Sequence, residues 1–408
     1  MMAFRKLLES EESIGDFRRN LLDWYGTAKR DLPWRRTRDP YRIWLSEIML
    51  QQTRVAAAIA YYERFLARFP SVETLAAARE EEVLRLWAGL GYYSRARNLH
   101  RAAKEIVAKH AANFPRAWDA AIALPGIGQY TAAAILSIAY DGPHAVLDGN
   151  VARVLARLDA IRGDLHAPRR WRALAARAQQ LLPQRAPRGP ADPDAPGDWN
   201  QAMMELGATI CLPKSPRCEQ CPVRQFCRAC ALGLQNSIPA ARLKRAPEDV
   251  TLAAAVLLDP RGRTLLVRPA AAGAALFSRM WQFPAIEVKI ASTPTRRTAA
   301  AVAARLASAR RRDVARENSA LRTSLARHLR VTLGIAEIKP SHLERADDSR
   351  HTVTFRRIRL AAYIARVTQL PRVANARTPR LKDVPRLAVS SATKKIAAAA
   401  LRAIAPAR

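Results

Sequence analysis

The sequence predicts a multidomain protein in which a large all-α domain is followed by a smaller α+β domain. Residues 13–228 contain long Ala-, Leu- and Arg-rich runs whose apolar positions recur every three and four residues, as in amphipathic helices. Short Pro- or Gly-containing turns separate these runs. After Cys230 the pattern changes to short strand-like runs, and 408 residues are enough for about two or three domains.

The domain limits follow from these changes in pattern. We expect a helical domain, a connector, an α+β domain and a tail over residues 1–228, 229–249, 250–403 and 404–408, respectively. Residues 183–198 are rich in proline and predict a loop inside the helical domain.

Within the α+β domain, two apolar runs flank the sequence Asp-Pro-Arg-Gly, which predicts a β-hairpin. The expected strands cover 251–258, 264–268 and 353–365, and the expected helices cover roughly 298–330 and 391–403.

The composition favours a folded protein with an anionic partner. Hydrophobic residues make up 49% of the chain, which excludes global disorder. The 68 Lys and Arg residues against 35 Asp and Glu residues give a formal net charge of +33, which attracts polyanions such as nucleic acid. The alternative is an Arg- and Ala-rich composition inherited from a GC-rich genome.

No signal in the sequence points to a membrane or to secretion. No run of about 18 apolar residues is present, and residues 1–12 are mixed in charge. We therefore expect a monomeric cytoplasmic protein, bacterial and associated with the nucleoid. Cysteines stay reduced in that compartment, so clustered cysteines indicate metal ligands rather than disulfides.

Four cysteines form the firmest single motif. Cys211, Cys218, Cys221 and Cys227 fall within 17 residues, close enough for their thiolates to converge on one metal centre. Four thiolates suit either a [4Fe–4S] cluster or a zinc ion, and the residues alone do not separate the two. Cys230 lies outside this spacing and is interpreted as a bystander.

A glycine-rich turn lies between two helical runs over residues 124–135. Gly126 and Gly128 permit a tight turn, and Thr131 is expected to open the next helix. Free N–H groups at such a turn can bind a phosphate. Asp148 follows 20 residues after Gly128 and precedes Gly149, so the simplest interpretation is a helix N-cap. A carboxylate there can also stabilise a positively charged sugar.

Glu47 is the only acidic residue in the helical run 41–55. Burial would raise its pKa and let it hold a proton as a general acid. The alternative is a structural partner for Arg42 or Arg54.

These motifs together resemble the endonuclease III superfamily of helix-hairpin-helix glycosylases, and within it the MutY family of adenine DNA glycosylases. The resemblance is carried by the cysteine spacing, the Leu124-Pro-Gly-Ile-Gly hairpin and the segments 41–55 and 90–99. It implies removal of adenine mispaired with 8-oxoguanine or guanine in double-stranded DNA, with a [4Fe–4S] cluster as cofactor that supports DNA binding.

The resemblance also implies residue roles. Glu47 would protonate adenine, and Asp148 would stabilise the sugar cation or bond to it. Tyr130 and Asn150 would orient these groups. The implied DNA and base contacts are Arg30, Trp34 and Arg35 at the adenine pocket, Gln52, Thr53 and Leu90 at the partner base, Tyr92 as an intercalating wedge, and Gly126 and Gly128 at the backbone. A buried core position is the alternative for Tyr92.

The segments 265–269 and 280–284 resemble a MutT-like, nudix-type domain. Nudix hydrolysis needs a glutamate-rich helix, whereas residues 285–310 contain only Glu287, so a recognition role is implied. The matching recognition loop keeps a hydroxyl at Thr354, but Val353 and Phe355 replace the expected aromatic and imidazole groups.

Two alternatives stay open at this point. An endonuclease III-like lyase would need a lysine in the hairpin, but Gln129 and Tyr130 stand there and no lysine occurs between Lys109 and Lys214. A catalytically silent iron–sulfur DNA-binding protein would not need Glu47 and Asp148. A monofunctional glycosylase that leaves an abasic site is therefore favoured.

Overall fold

The computed structural model describes residues 8–183, 195–241, 245–268, 280–289 and 303–405, with the backbone alone over 303–314. The chain divides into two compact units. The first comprises Met1–Val83 and Tyr92–Leu243, and the second comprises Leu84–Gly91 and Lys244–Arg408. Most of the predicted loop 183–198 and the end of the predicted tail lie outside the described residues.

Helices dominate residues 8–241, as the periodicity predicts. In chain order they are α1 (Glu11–Ala28), α2 (Pro40–Leu50), α3 (Val55–Arg68), α4 (Val72–Ala77), α5 (Glu80–Trp87), α6 (Ser94–Lys109), α7 (Trp118–Ile122), α8 (Gln129–Tyr140), α9 (Gly149–Leu158), α10 (Pro168–Leu181), α11 (Pro196–Thr209) and α12 (Arg228–Ala231). No helix in the described part of the chain combines the length and apolarity that crossing a bilayer requires.

Side-chain caps define where several of these helices begin. The Asp39 carboxylate accepts hydrogen bonds from the backbone N–H groups of Tyr41 and Arg42, so α2 begins at Pro40. Asp148 caps α9 in the same way through the N–H of Val151. These caps determine which residues of α2 and α9 point inward.

Helix α8 is the centre of the first unit. Every residue from Thr131 to Ile138 is buried, which is expected of a helix that is apolar on all sides. It packs against α2 and α11, and α11 also packs against α9. The side chains that α2, α8, α9 and α11 direct toward one another therefore share one interior region.

Close approach between these helices depends on glycine. A Cβ atom at Gly207 on α11 would lie 2.8 Å from Cβ of Asn150 and 3.2 Å from its backbone carbonyl. A Cβ atom at Gly197 would lie 2.6 Å from the carbonyl oxygen of Ser137. Hydrogen atoms at these two positions let α11 lie directly on α8 and α9.

The second unit contains a mixed β-sheet. Its elements are β1 (Glu248–Leu258), β2 (Leu266–Val267), β3 (Ala285–Lys289), α13 (Ala303–Leu333), β4 (Glu344–Arg345), β5 (Ser349–Val353), β6 (Arg356–Arg366), β7 (Ala376–Arg377) and α14 (Ser391–Ile404). The main sheet has the order β3-β1-β6-β4, with β5 also paired to β6, and β2 pairs with β7.

The two central strands, β1 and β6, run parallel and pair along their whole length. Alternate residues of β1 face opposite sides of the sheet, which explains its unbroken apolar run. Leu252, Val256 and their neighbours pack against α14, whereas Ala253, Leu257 and theirs pack against α13. The sheet is thus covered on both faces.

Most sequence-predicted elements of this unit are confirmed. The predicted hairpin forms, because Leu258 and Thr264 pair across the turn that Asp259 stabilises. The two predicted helices correspond to α13 and α14. Strand β3 was not predicted from the sequence. It pairs with β1, and it places Glu287 on a strand, where its carboxylate accepts a hydrogen bond from Arg356.

Replacing Gly207 by alanine is expected to destabilise the protein by about 1–3 kcal/mol, because the new methyl group must displace Asn150 or the backbone of α9. Urea unfolding measures the change. Gly15→Ala on α1 is the matched control, since its Cβ meets only the end of Arg19 at 3.9 Å. The control should be stabilised by about 0.5–1 kcal/mol, and equal behaviour of both variants would contradict the packing described.

Candidate functional site

A cavity of about 380 Å³ opens between α2, α8, α11 and the start of α9. It collects residues that are far apart in the sequence. The sequence-predicted site residues that line it are Arg30, Trp34, Arg35, Glu47, Gln52, Thr53, Tyr130, Asp148 and Asn150.

Glu47 lies on α2 and is only 6% exposed. Its Oε2 accepts a hydrogen bond of 2.8 Å from the Tyr130 hydroxyl. Burial raises the pKa of Glu47 to about 7, and the nearby Asp148 carboxylate raises it too, whereas the Tyr130 hydrogen bond and the positive charge of Arg35 act in the opposite direction. Glu47 can therefore carry a proton near neutral pH, as the sequence predicts.

The structural alternatives for Glu47 receive no support from its neighbours. The guanidinium of Arg42 lies 3.7 Å from Asp39 instead. The hydrogen-bond partner of Glu47 is neutral, because burial raises the pKa of the Tyr130 hydroxyl well above its usual value. That hydroxyl also lies 3.4 Å from the sulfur of Met204, which closes this side of the cavity.

Asp148 is the N-cap of α9, as one interpretation of the sequence predicts, and it also lines the cavity. Its Oδ1 accepts the N-capping hydrogen bond from the N–H of Val151 at 2.7 Å, and its Oδ2 accepts one from the Asn150 side-chain amide at 3.1 Å. The carboxylate is therefore held at the helix end while it lines the cavity. Such fixed orientation is what a group that stabilises a developing charge requires.

Asn150 is itself held in place from the interior. Arg153 donates to Asn150 Oδ1 at 2.9 Å and to the carbonyl oxygens of Gly207 and Cys211, both at 2.8 Å. Arg153 is 7% exposed. A continuous set of hydrogen bonds thus connects Asp148 with the first cysteine of the metal motif.

Glu205 is a site residue that the sequence analysis missed. Its carboxylate is fully buried and accepts bidentate hydrogen bonds of 2.7 Å from Arg30, plus one of 2.7 Å from Arg35. Burial alone would raise its pKa, but the bonds from Arg30 and Arg35 outweigh burial and lower the pKa to about 2. The sequence feature that could have indicated Glu205 is a single glutamate between apolar residues on α11.

The glycine hairpin lies between α7 and α8. Gly126 has φ +81°, and a Cβ atom there would lie 2.6 Å from Cβ of Asn98, so both the conformation and the close approach require glycine. Gly128 is the N-cap of α8. The helix begins at Gln129, two residues before the predicted Thr131, because Gly128 already supplies the helix start.

Leu90 and Tyr92 are not among the described residues that line the cavity. Tyr92 is 40% exposed, so the core alternative for it is wrong. Its φ is +48°, and the Arg95 guanidinium lies 5.5 Å from its ring centroid. Leu90 is 8% exposed and belongs to the segment Leu84–Gly91, which groups with the second unit.

Thr354 lies at the tip of the two-residue turn between β5 and β6, with φ +54°. Its hydroxyl donates to the carbonyl oxygen of Val353. The next ring, that of Phe355, is covered by the Arg245 guanidinium at 3.8 Å from the ring centroid. The departure from the family loop therefore introduces a guanidinium–aromatic stack at this turn.

The four cysteines of the metal motif interact with one another. Burial raises the pKa of the Cys221 thiol to about 12, and the nearby Cys211, Cys227 and Cys218 raise it too. Arg157, which is 2% exposed, donates to Cys211 Sγ at 3.2 Å. Clustered, half-buried thiols beside a cation suit a metal centre, whose positive charge favours the thiolates.

Among the described residues, no three His, Cys, Asp or Glu side chains are grouped as ligands of a single metal ion. A four-iron cluster binds each thiolate at a different iron, so its ligands are spaced more widely. Cys230, interpreted above as a bystander, lies beside Cys218 and shares a hydrogen bond with it. The basic side chains of Lys214, Arg217 and Arg224 are exposed on this loop.

Replacing Glu205 by glutamine should destabilise the protein by about 2–4 kcal/mol, because two guanidiniums lose their buried counter-charge. Solvent screening limits the loss, since Arg30 is itself 39% exposed. Urea unfolding at pH 7 measures the loss. Asp31→Asn, which breaks the exposed pair with Arg36, is the control and should change little.

The same pair predicts a pH dependence. The folded-state pKa of Glu205 is below its ordinary value of 4.5, so its contribution is present above that value and is lost as pH falls toward 2. The stability gap between wild type and Glu205→Gln should close over this window. A gap that stayed constant would contradict the ion-pair assignment.

Comparisons with known proteins agree with this geometry. The family model for the HhH-GPD superfamily base excision DNA repair protein matches residues 45–180. The model for the iron-sulfur binding domain of endonuclease III matches residues 211–227, which begin and end at cysteines of the motif. The cofactor is therefore a [4Fe–4S] cluster, and the zinc alternative is not supported.

Two relatives and two solved structures describe the range of similarity. Adenine DNA glycosylase of Rattus norvegicus is 48% identical over 222 residues, covering 52% of this chain and 41% of that protein. Adenine DNA glycosylase of Arabidopsis thaliana is 39% identical over 336 residues, covering 72% of this chain and 51% of that protein. A thermostable thymine-DNA glycosylase structure is 29% identical with a TM-score of 0.48, covering 54% of this chain and 98% of that one. A MutT protein from Methanosarcina mazei Go1 is 11% identical with a TM-score of 0.28, covering 40% of this chain and 98% of that one.

The chain spans about half the length, or less, of the relatives described. Both predicted fold types are confirmed: a helical domain, within which the glycosylase family model matches, and a C-terminal α+β domain. Residues 45–180 thus match the HhH-GPD superfamily of base excision DNA repair proteins, residues 211–227 match the iron-sulfur binding domain of endonuclease III, and the chain resembles adenine DNA glycosylases.

Proposed function

We propose that the protein is an adenine DNA glycosylase, which hydrolyses the N-glycosidic bond of adenine mispaired with 8-oxoguanine or guanine. One observation carries the proposal. A buried Glu47, whose pKa is raised to about 7, lines the same cavity as the N-cap carboxylate of Asp148. The adenine glycosylase relatives support the choice of adenine.

Two carboxyl groups in one cavity can perform this reaction. Glu47 holds a proton and donates it to a ring nitrogen of adenine, which makes the base a better leaving group. The side chain of Asp148 stabilises the sugar cation, or bonds to it transiently, before water completes hydrolysis. Tyr130 orients Glu47, and Asn150 orients Asp148, through the hydrogen bonds described above.

The cavity also suits a flipped purine. Its volume of about 380 Å³ holds one base, and Trp34 supplies an aromatic wall. Arg30, Arg35 and Glu205 add fixed polar groups at its edge. A base must leave the helical stack to reach such a site, and buried polar groups then select the base whose edge complements them.

We assign contacts with DNA to the remaining predicted residues. We assign backbone binding to the Gly126–Gly128 hairpin and recognition of the partner base to Gln52, Thr53 and Leu90. The exposed Tyr92 would be inserted between bases, and the turn at Thr354 would contribute to recognition of 8-oxoguanine. Cys211, Cys218, Cys221 and Cys227 would hold the cluster, which supports DNA binding rather than bond breaking.

The enzyme is proposed to be monofunctional. The hairpin presents Gln129 and Tyr130, and the sequence contains no lysine between Lys109 and Lys214. Without an amine in that stretch to form a Schiff base with the sugar, an abasic site remains for other enzymes. We further propose that it acts as a monomer on chromosomal DNA in a bacterial cytoplasm.

Base release can be tested with duplexes that contain A opposite 8-oxoguanine, A opposite G, or thymine glycol. Strand cleavage at adenine is expected only after alkali treatment, because the enzyme leaves an abasic site. Direct nicking at thymine glycol would favour the lyase alternative. Tight binding without any base release would favour the silent DNA-binding alternative.

Glu47→Gln is expected to reduce adenine release by at least about 100-fold, because a general acid typically contributes that much. DNA affinity should remain close to wild type. Glu63→Gln, at an exposed position of α3, is the matched control and should retain full activity. Normal single-turnover excision by Glu47→Gln would exclude the assigned role.

The excision rate should also depend on pH. Because protonated Glu47 is the active form and its pKa is about 7, the single-turnover rate should fall as pH rises above about 7. Tyr130→Phe removes a hydrogen bond that lowers the pKa of Glu47, so the decrease in rate should occur at a higher pH in this variant. A decrease at the same pH as in wild type would contradict the effect of Tyr130 on the pKa of Glu47.

A further inference from the structure

A second concavity, of about 840 Å³, lies in the second unit beside the turn that follows β1. Three arginines line it, Arg263, Arg372 and Arg377. None of the described residues in its lining is acidic. It shares no residue with the cavity that contains Glu47.

Backbone pairing places further arginines at the same surface. Arg263 and Arg380 are partners in an antiparallel bridge, and the N–H of Thr264 donates to the carbonyl oxygen of Pro379 at 2.8 Å. The turn at 259–263 and the segment 372–380 are therefore held side by side. We call the resulting surface the arginine face: Arg261, Arg263, Arg372, Arg377 and Arg380.

The acidic residue nearest in sequence does not neutralise this face. Asp259 is 5% exposed, and its carboxylate accepts from Arg263 Nε at 2.8 Å and from the N–H groups of Arg261 and Arg263. Its charge is thus committed to Arg263 and to the turn. Within the described ranges, no ion pair joins Arg261, Arg372 or Arg380 to a carboxylate, and all three are exposed.

Such an arrangement favours a polyanionic partner. Guanidinium groups bind phosphate through paired hydrogen bonds. An acidic protein segment is the alternative partner for Arg261, Arg372 and Arg380, the three arginines of this face that no described carboxylate pairs with.

The aromatic residue next to this face indicates how nucleic acid would bind. Trp281 is 7% exposed, and the guanidiniums of Arg268 and Arg377 lie 4.9 and 4.7 Å from its ring centroid. Its ring is therefore not available to stack on an unpaired base, as single-strand binding would require. The mode of nucleic-acid binding that remains for this face is contact with the phosphates of duplex DNA.

We propose that the arginine face is an additional contact of the protein with the phosphate backbone of duplex DNA, independent of sequence and of the mispair. The choice of DNA rests on the proposed function. The contact would account for part of the large positive charge of the chain as a binding surface rather than as composition.

The test compares full-length wild type with Arg261→Gln/Arg372→Gln/Arg380→Gln on an undamaged, fully paired duplex, on which no base is removed. Fluorescence anisotropy gives the binding constant from 50 to 200 mM salt. Each lost phosphate contact should reduce the slope of log K against log salt by about 0.9, so the triple variant should lose up to about 2.7. Its affinity for matched and mispaired duplexes should fall by the same factor, because phosphate contacts carry no sequence information.

Two further triple variants are controls. Arg316→Gln/Arg327→Gln/Arg330→Gln removes the same charge from exposed positions of α13 and should change the slope by less than about 1. Arg261→Lys/Arg372→Lys/Arg380→Lys keeps the charge and should retain most of the wild-type slope. Thermal unfolding confirms that each variant is folded. If the triple glutamine variant is not, Arg372→Gln and Arg380→Gln made singly should each still reduce the slope by about 0.9.

The outcomes separate this inference from the proposed function. The arginine face would be excluded as a DNA contact if the glutamine variant kept the wild-type slope of log K against log salt. It would also be excluded if the α13 control lost as much of this slope as the glutamine variant. A loss confined to the 8-oxoguanine duplex would also overturn it. Single-turnover excision at saturating enzyme should be unchanged in the glutamine variant, whereas a wild type that releases no adenine contradicts the proposed function alone.

Discussion

The burial of the Glu47 carboxyl group is the constraint on which the candidate site depends. A carboxyl group in water is ionised at neutral pH, and only removal from water brings its pKa to about 7. That removal requires α2 to lie against α8, whose whole circumference is buried. The apolar character of α8 is therefore both a packing feature and a condition for the chemistry.

The opposing carboxylate requires a different environment. Asp148 is held by a backbone N–H and by Asn150, both of which fix the orientation of its carboxyl group. Asn150 depends in turn on Arg153 and on the close approach that Gly207 permits. Because Arg153 also binds the carbonyl oxygen of Cys211, disturbance of the cluster loop can reach Asp148 through hydrogen bonds alone.

The same chain uses charge in two ways. At the pocket edge, Arg30 and Arg35 are matched by Glu205, a carboxylate with no exposure to water. At the arginine face, Arg372 and Arg380 are exposed and no described carboxylate is paired with them. Composition cannot separate these cases, because a matched and an unmatched arginine contribute equally to a net charge of +33.

The sequence alone determined the two fold types, the cysteine motif, the glycine hairpin and the pair Glu47 and Asp148. These features are local: helix periodicity, short loop spacing and turn residues are written in neighbouring positions. Glu205 and the parallel pairing of β1 with β6 were decided by tertiary structure, because they join residues separated in the sequence by 170 and 108 positions, respectively. For Glu47, the apolar helical run around it predicted burial and a raised pKa, but the size of the shift depends on which helices surround the carboxyl group.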